Sequence, residues 1–120
     1  MSTQIGINGY GRIGRLLHRI LLQRGHDKGI TVGAINDPGA DAATLAFLLE
    51  HDSVYGPLPQ HVESTERSIS VDGQRVPVHA CADPDRIPWD DDGIEVVVES
   101  SGRFTTRDEA AAHLGGSVRH

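Results

Sequence analysis

Cysteine is almost missing from these 120 residues. Cys81 stands alone, so no intrachain disulfide can form, and the seven histidines show no Cys/His pairing at metal-ligand spacing that would suggest zinc. Lysine is equally scarce. Lys28 is the only one and closes no Gly-Lys-Ser/Thr phosphate loop, which disfavours nucleotide hydrolysis. Positive charge is short overall, with 11 Lys+Arg against 17 Asp+Glu and a net charge of −6. That balance argues against partners such as nucleic acid or an anionic membrane, which need clustered cations. No apolar run approaches the length of a membrane-spanning helix, and the N-terminus lacks the basic segment and apolar stretch of a secretory signal. A cytoplasmic location is expected.

Glycine is what the chain has in quantity, 14 residues beside an apolar share of 38%, a composition that fits a packed domain rather than disorder. Gln4-Ile5-Gly6-Ile7-Asn8 reads as a strand buried on both faces of a parallel sheet. From Arg12 onward, Ile13, Leu16, Leu17, Ile20 and Leu21 recur at helical spacing. Arg15, His18, Arg19 and Gln23 fall on the other, solvated side, and Gly25 serves as the stop. Residues 30–36 then form a second strand, and a strand-helix-strand unit this short demands a parallel crossover. Asp41 can cap a shorter helix carrying Leu45, Phe47, Leu48 and Leu49. Ser68-Ile69-Ser70-Val71 and Arg75-Val76-Pro77-Val78 flank an Asp72-Gly73-Gln74 turn as a hairpin, with Pro77 placing its strand at an edge. Residues 94–99, with three consecutive valines, read as an inner parallel strand. Thr106-Arg107-Asp108-Glu109 is a capping box opening a helix that Gly115-Gly116 ends. A parallel strand and helix at the end of the sequence call for another strand, so the reading is of a partial domain. There is no internal repeat or low-complexity linker.

Gly9-Tyr10-Gly11-Arg12-Ile13-Gly14 follows the first strand and opens the first helix. In that context G-x-G-x-x-G has a physical reason at each glycine. Gly9 makes the tight turn, Gly11 lets a pyrophosphate reach the backbone, and Gly14 lets helix and strand pack closely. The amides of Arg12 and Ile13 and the positive end of the helix dipole then face the phosphates. Asp37 lies 23 positions after Gly14, at the end of the second strand, where a carboxylate can accept from both hydroxyls of an adenosine ribose. Asn36-Asp37-Pro38-Gly39 also makes a sound turn with no ligand at all. Cys81 reads as a small apolar residue rather than a nucleophile, Asp90-Asp91-Asp92 as a solvated turn rather than a cation site, and Trp89 as a packing anchor. Ser100-Ser101-Gly102 sits just past a strand's carboxyl end, where doubly wound sheets bind ligands.

These segments resemble the glyceraldehyde-3-phosphate dehydrogenase family. Ile7-Asn8-Gly9-Tyr10-Gly11-Arg12-Ile13-Gly14-Arg15 is similar to its opening signature, usually written with Phe where Tyr10 stands. Ala34-Ile35-Asn36-Asp37-Pro38, Asp52-Ser53-Val54-Tyr55-Gly56 and Glu99-Ser100-Ser101-Gly102-Arg103-Phe104-Thr105 match in order and spacing. The resemblance implies a partial doubly wound (Rossmann-type) α/β fold, mainly parallel, with an inserted β-hairpin and without the last strands. On this reading residues 1–120 are the N-terminal part of a dinucleotide-binding domain, and the catalytic domain is absent.

The implied cofactor is NAD. Asn8, Gly9, Gly11, Arg12 and Ile13 would surround its phosphates, Asp37 would hold the adenosine ribose, Ser101 and Gly102 would lie along the cofactor, and Phe104 would border the adenine. Ser101 replaces a common Thr, and Cys81-Ala82-Asp83-Pro84 stands where many relatives carry Glu-Arg-Asp-Pro, which removes side-chain cover at Ala82. The family's nucleophile, in a Ser-Cys-Thr-Thr-Asn-Cys segment, and its later histidine base match nothing in these residues, so no catalytic residue is assigned. The full-length relative implies a phosphorylated aldehyde as substrate and a homotetramer as its assembly. The segment 39–46 is similar to the arsenate-resistance branch, while erythrose-4-phosphate dehydrogenases share much of it. A standalone nucleotide-binding or interaction module is the competing function.

Overall fold

In the computed structural model, residues 3–39, 41–52, 56–82, 87–89, 92–100 and 118 are described. Along the chain these give β1 (Thr3–Asn8), α1 (Arg12–Lys28), β2 (Ile30–Asn36), α2 (Ala42–Glu50), β3 (His51–Asp52), β4 (Gly56–Pro57), β5 (Val62–Ser64), β6 (Ser68–Val71), β7 (Gln74–His79) and β8 (Val96–Glu99). Six of these strands form one sheet in the order β5-β6-β7-β2-β1-β8, and β3 pairs with β4 apart from it. The β1-β2, β1-β8 and β2-β7 pairings are parallel, and β5-β6 and β6-β7 are antiparallel. The architecture is therefore the expected α/β one, a mainly parallel sheet carrying a hairpin.

Side chains of β1 and β2 reach both faces of the sheet, with an irregularity at Gly33 that shifts the alternation along β2, and make two cores. On one face Ile7, Val32 and Ile35 meet Leu45 and Leu49 of α2 and Ile69 and Val76 of the hairpin, with Leu17, Leu21 and Leu22 of α1 packed against them. On the other, Ala34 joins Ile87, Trp89, Ile94 and Val118. Gly6 and Gly33 belong to this second face. A Cβ on Gly6 would lie 2.6 Å from the Trp89 ring, and one on Gly33 would lie 2.9 Å from Ile94. Trp89, 3% exposed, is the packing anchor that was expected.

The first helix is turned relative to its apolar periodicity. Ile13 and Ile20 are exposed, while His18 and Arg19, expected in solvent, are buried. Gly14 explains the rotation. It is the point of closest approach to β1, with space for a Cβ denied by the Gly9 carbonyl at 2.6 Å and Ile7 at 3.0 Å. The residues in line with it along the helix, His18, Leu21 and Leu22, therefore face inward. Arg19 gains a partner by its burial, donating from Nη2 to the Leu49 carbonyl at 2.6 Å and so closing the C-terminus of α2. The helix also runs past Gly25. Its stop is Gly29, whose φ of +65° suits a glycine that ends a helix in the left-handed region.

Pro77 is not on an edge strand, since β7 lies between β6 and β2. Val78 donates its amide toward Arg67 on the β6 side. The Pro77 nitrogen, one residue earlier, points toward β2, where pairing begins only at Ile35↔Val78. The missing donor thus costs no ladder bond. β8 pairs with β1 over 96–99 and stands last in the sheet order among the described residues, and most of the chain after it, where a further strand was expected, lies outside them. Asp92 is not a solvated turn residue either, because its Oδ2 lies 2.7 Å from His79 Nε2 with both side chains mostly covered. Two expectations hold locally. Asp72 and Gly73 form a tight turn with φ of +50° and +85°. Asp41 caps α2 by accepting from the Thr44 amide, a bond that holds its carboxyl below the ordinary range. The helix expected over 106–114 and residues Asp90 and Asp91 lie outside the described residues.

Candidate functional site

The carboxyl ends of β2, β1 and β8 come together at one edge of the sheet, and the glycine loop leaves β1 there. Gly9 turns the chain with a φ of +92°, a conformation that side chains resist, and donates its amide to the Asn36 carbonyl at 2.8 Å. Ser100, just past β8, fastens the same turn from the other side. Its amide donates to Asn8 O at 2.9 Å and its Oγ to Gly9 O at 2.7 Å.

Beyond this turn the surface opens. Gly11, Arg12 and Ile13 are exposed, and a Cβ built on Gly11 would meet no atom within 4 Å. The first turn of α1 contains no acidic residue, so the positive end of its dipole and its unpaired amides are left to face solvent. Asp37 stands beside the loop. Its Oδ2 accepts from the Tyr10 amide at 2.9 Å and its Oδ1 from the Gly39 amide at 2.8 Å. Each carboxylate oxygen keeps a further lone pair for a ligand hydroxyl. An anion cradle and a hydroxyl acceptor therefore sit side by side, which is the chemistry a ribose-phosphate group requires.

Of the residues expected to form the site, Asn8, Gly9, Gly11, Arg12, Ile13 and Asp37 converge on this edge. Asn8 contributes from beneath it, since it is 2% exposed and its Nδ2 donates to Glu99 Oε2 at 2.8 Å. Ser101, Gly102 and Phe104 lie outside the described residues.

Sequence reasoning missed the support under the loop. Tyr10, counted only as a variable position of the motif, is 1% exposed and its hydroxyl lies 2.6 Å from His18 Nδ1. Arg15 Nη1 donates to the Tyr10 carbonyl at 3.0 Å. Burial pushes the Tyr10 phenol far above its usual range, against smaller opposing effects of Arg15 and Arg19, and pushes the His18 imidazole down to about 4. The only usable signal was a Tyr with a His eight residues on, spaced so that a loop residue meets the second turn of the helix it opens.

The depressed His18 value makes stability depend on pH. In the unfolded chain the imidazole takes up its proton near its ordinary value of about 6.5, whereas in the folded chain it does so only near about 4. Stability attached to the neutral ring is therefore complete above about pH 6.5 and is lost as the pH falls toward about 4, on the order of 3 kcal/mol in all. Thermal unfolding of wild type and His18→Leu should show a Tm difference that shifts against wild type between about pH 7 and 5. A difference that stays flat over that range would remove His18 as the cause.

Comparison with known proteins places these observations. The profile of the family described as "Glyceraldehyde 3-phosphate dehydrogenase, NAD binding domain" matches residues 3–107. The chain is 51% identical over 117 residues to glyceraldehyde-3-phosphate dehydrogenase 1 of Bacillus cereus, covering 98% of this chain and 34% of that protein. It is 48% identical over 117 residues to glyceraldehyde-3-phosphate dehydrogenase of Thermotoga maritima, with the same coverage of each. A chloroplastic glyceraldehyde-3-phosphate dehydrogenase of Arabidopsis thaliana is 44% identical over 119 residues, with 98% of this chain and 28% of that protein covered. The chain thus spans about a third of the length of the curated relatives it matches.

Proposed function

The chain belongs to the NAD-binding domain family of glyceraldehyde-3-phosphate dehydrogenase, and on that premise we propose that it is the cofactor-holding part of an NAD-dependent, phosphorylating aldehyde dehydrogenase. The observation that carries this is the open position over Gly11. A Cβ there would meet no atom within 4 Å, yet the loop around it is tied down by Asp37, Arg15 and Ser100. A rigid loop with reserved space above a glycine suits a pyrophosphate that must approach main-chain amides.

In this reading residues 1–120 are a dinucleotide-binding domain. The amides about Gly11, Arg12 and Ile13 take the phosphates, with Asn8 and Gly9 shaping the turn. Asp37 accepts from the adenosine ribose, and Ser101, Gly102 and Phe104 line the rest of the cofactor. Bound NAD would supply the hydride acceptor. These residues bind and orient it, and none is assigned to the chemical step, since the single cysteine, Cys81, stands outside the family's Ser-Cys-Thr-Thr-Asn-Cys segment. In the same reading the whole protein's substrate is a phosphorylated aldehyde, as the relatives' names indicate, its assembly a homotetramer and its location cytoplasmic. Among the described residues no helix is long and apolar enough to cross a membrane.

Calorimetric titration of the 120-residue chain should give saturable NAD binding at one site. Mixing the chain with NAD, glyceraldehyde 3-phosphate and phosphate should give no NADH absorbance. Absence of saturable binding would overturn the cofactor role, and turnover abolished by Cys81→Ser would overturn the assignment of this chain to binding alone.

A further inference from the structure

We propose that Asn36 is a positioning residue of the nucleotide site, its side-chain amide acting as an extra rung between β2 and the chain beyond β7 and holding Cys81 in register with the glycine loop. The proposal rests on reading this sheet edge as a nucleotide site. The β2-β7 ladder ends at Asn36↔His79, with the Asp37 amide donating to the His79 carbonyl at 2.9 Å. Beyond that point no strand continues, and the Asn36 side chain takes over. Its Nδ2 donates to Cys81 O at 2.9 Å and its Oδ1 accepts from the Cys81 amide at 2.9 Å, the pair of bonds a neighbouring strand would supply.

The second Nδ2 hydrogen goes to Asn8 Oδ1 at 2.7 Å, so both hydrogens and the oxygen are used and the amide can face only one way. A flipped amide would set its oxygen against two acceptors and its nitrogen against a donor. Asn36 is 1% exposed, which makes each of these bonds costly to lose. Through its main-chain carbonyl the same residue receives the Gly9 amide. One residue therefore fixes two walls by different groups, its main-chain carbonyl the start of the glycine loop and its side chain the segment at Cys81. That segment, with Asp41, His79, Ala80 and Pro88, borders a cleft of about 770 Å³ that the glycine loop itself does not line, so a ligand held at both must reach from the loop to the cleft.

In this proposal a ligand that spans phosphate and base, such as AMP, reaches from the loop to the Cys81 segment and so depends on their separation. Inorganic pyrophosphate depends on the loop amides alone. The proposal predicts that Asn36→Asp, which keeps the shape but turns a donor into an acceptor against Cys81 O and Asn8 Oδ1, weakens AMP binding by about tenfold. Pyrophosphate binding, followed by phosphorus NMR, should change by less than about twofold. Asn36→Ala should behave the same way, with folding of both variants checked by circular dichroism. Equal losses for both ligands would mean a merely structural role and would overturn the proposal, as would an unchanged AMP affinity.

A measurement on wild type guards against variants that fail to fold. The Cys81 amide should exchange its hydrogen slowly, and more slowly still, by about fivefold, with saturating AMP. Exchange at the rate of an unprotected amide, with or without AMP, would overturn the clamp. Wild type that binds neither AMP nor pyrophosphate would instead overturn the nucleotide reading on which the proposal rests. That failure is separate from wild type binding both ligands while the Asn36 variants match it.

Discussion

Gly11→Ala should leave the protein folded but weaken its hold on NAD, whereas Gly14→Ala, three residues on, should damage the fold itself. Both substitutions add one methyl group, and the difference lies in what that group meets. At Gly11 an ideal Cβ has no atom within 4 Å, and Gly11 is not among the glycines with positive φ, so alanine fits the existing backbone. Fewer unfolded conformations then make the variant as stable as wild type or more so by about 0.5 kcal/mol. The methyl nevertheless occupies the space through which a pyrophosphate would reach the amides of the first turn. A loss of about a hundredfold in NAD affinity, roughly 2.7 kcal/mol, is expected.

At Gly14 the Cβ would sit 2.6 Å from the Gly9 carbonyl, 3.0 Å from Ile7 Cγ2 and 3.2 Å from Ser100 Oγ. The nearest of these is backbone and belongs to the very turn that Ser100 and Asn36 fasten. Relief requires α1 to lift off β1, which opens the core around Ile7 and Leu17. The expected cost is about 2–4 kcal/mol. Thermal melts and NAD titrations of the two variants separate the cases. A Gly11→Ala protein that binds NAD as wild type does would show that no phosphate passes over Gly11. A Gly14→Ala protein with an unchanged Tm would show that helix and strand do not depend on that contact.

The same contrast explains how far the sequence could be read. Strand positions, the crossover and the hairpin turn were legible because they rest on local signals, such as short apolar runs, a glycine motif in context and Asp-Gly between two strands. The expected loop residues and Asp37 do converge at one sheet edge, since G-x-G-x-x-G and an acid after the next strand encode a spatial relation through the crossover itself. What was not legible depends on partners distant in sequence. His18 and Arg19 are polar at positions a periodicity analysis assigns to solvent. Each is buried because it meets one particular group, the Tyr10 hydroxyl or the Leu49 carbonyl. Pro77 argued for an edge strand, but the pairing on its β2 side begins one residue later, a matter of register that no local pattern records. The Asn8-Asn36-Cys81 network has the same character, since three strand ends and a loop must be in place before asparagine is more than a turn residue.

Wild type should bind NAD in preference to NADP, and Asp37→Ala should erase most of that preference while weakening NAD as well. The carboxylate that would accept from the ribose hydroxyls is anchored at both oxygens, Oδ2 on the Tyr10 amide at 2.9 Å and Oδ1 on the Gly39 amide at 2.8 Å. A 2′-phosphate therefore cannot be accommodated by swinging Asp37 aside without breaking two bonds to the main chain. Held in place, like charges about 4 Å apart cost on the order of 1–4 kcal/mol, or roughly five- to a thousandfold in affinity. Pro38, next in sequence, brings no cation to offset this. Removing the carboxylate relieves the repulsion but frees the Tyr10 amide and loosens the loop. NAD affinity should then fall while NADP affinity changes little, bringing the ratio toward one. Asp37→Asn separates the two effects. It is neutral and keeps one acceptor oxygen, but its amide nitrogen faces a main-chain N–H where an oxygen stood, so one of the two anchors is lost. Its cofactor ratio should collapse like that of the alanine variant, with a smaller loss for NAD. Titration of wild type and both variants with each cofactor decides the matter. Equal affinities in wild type, or a ratio that neither substitution moves, would leave Asp37 as a turn residue that organises the loop and reads no part of the ribose.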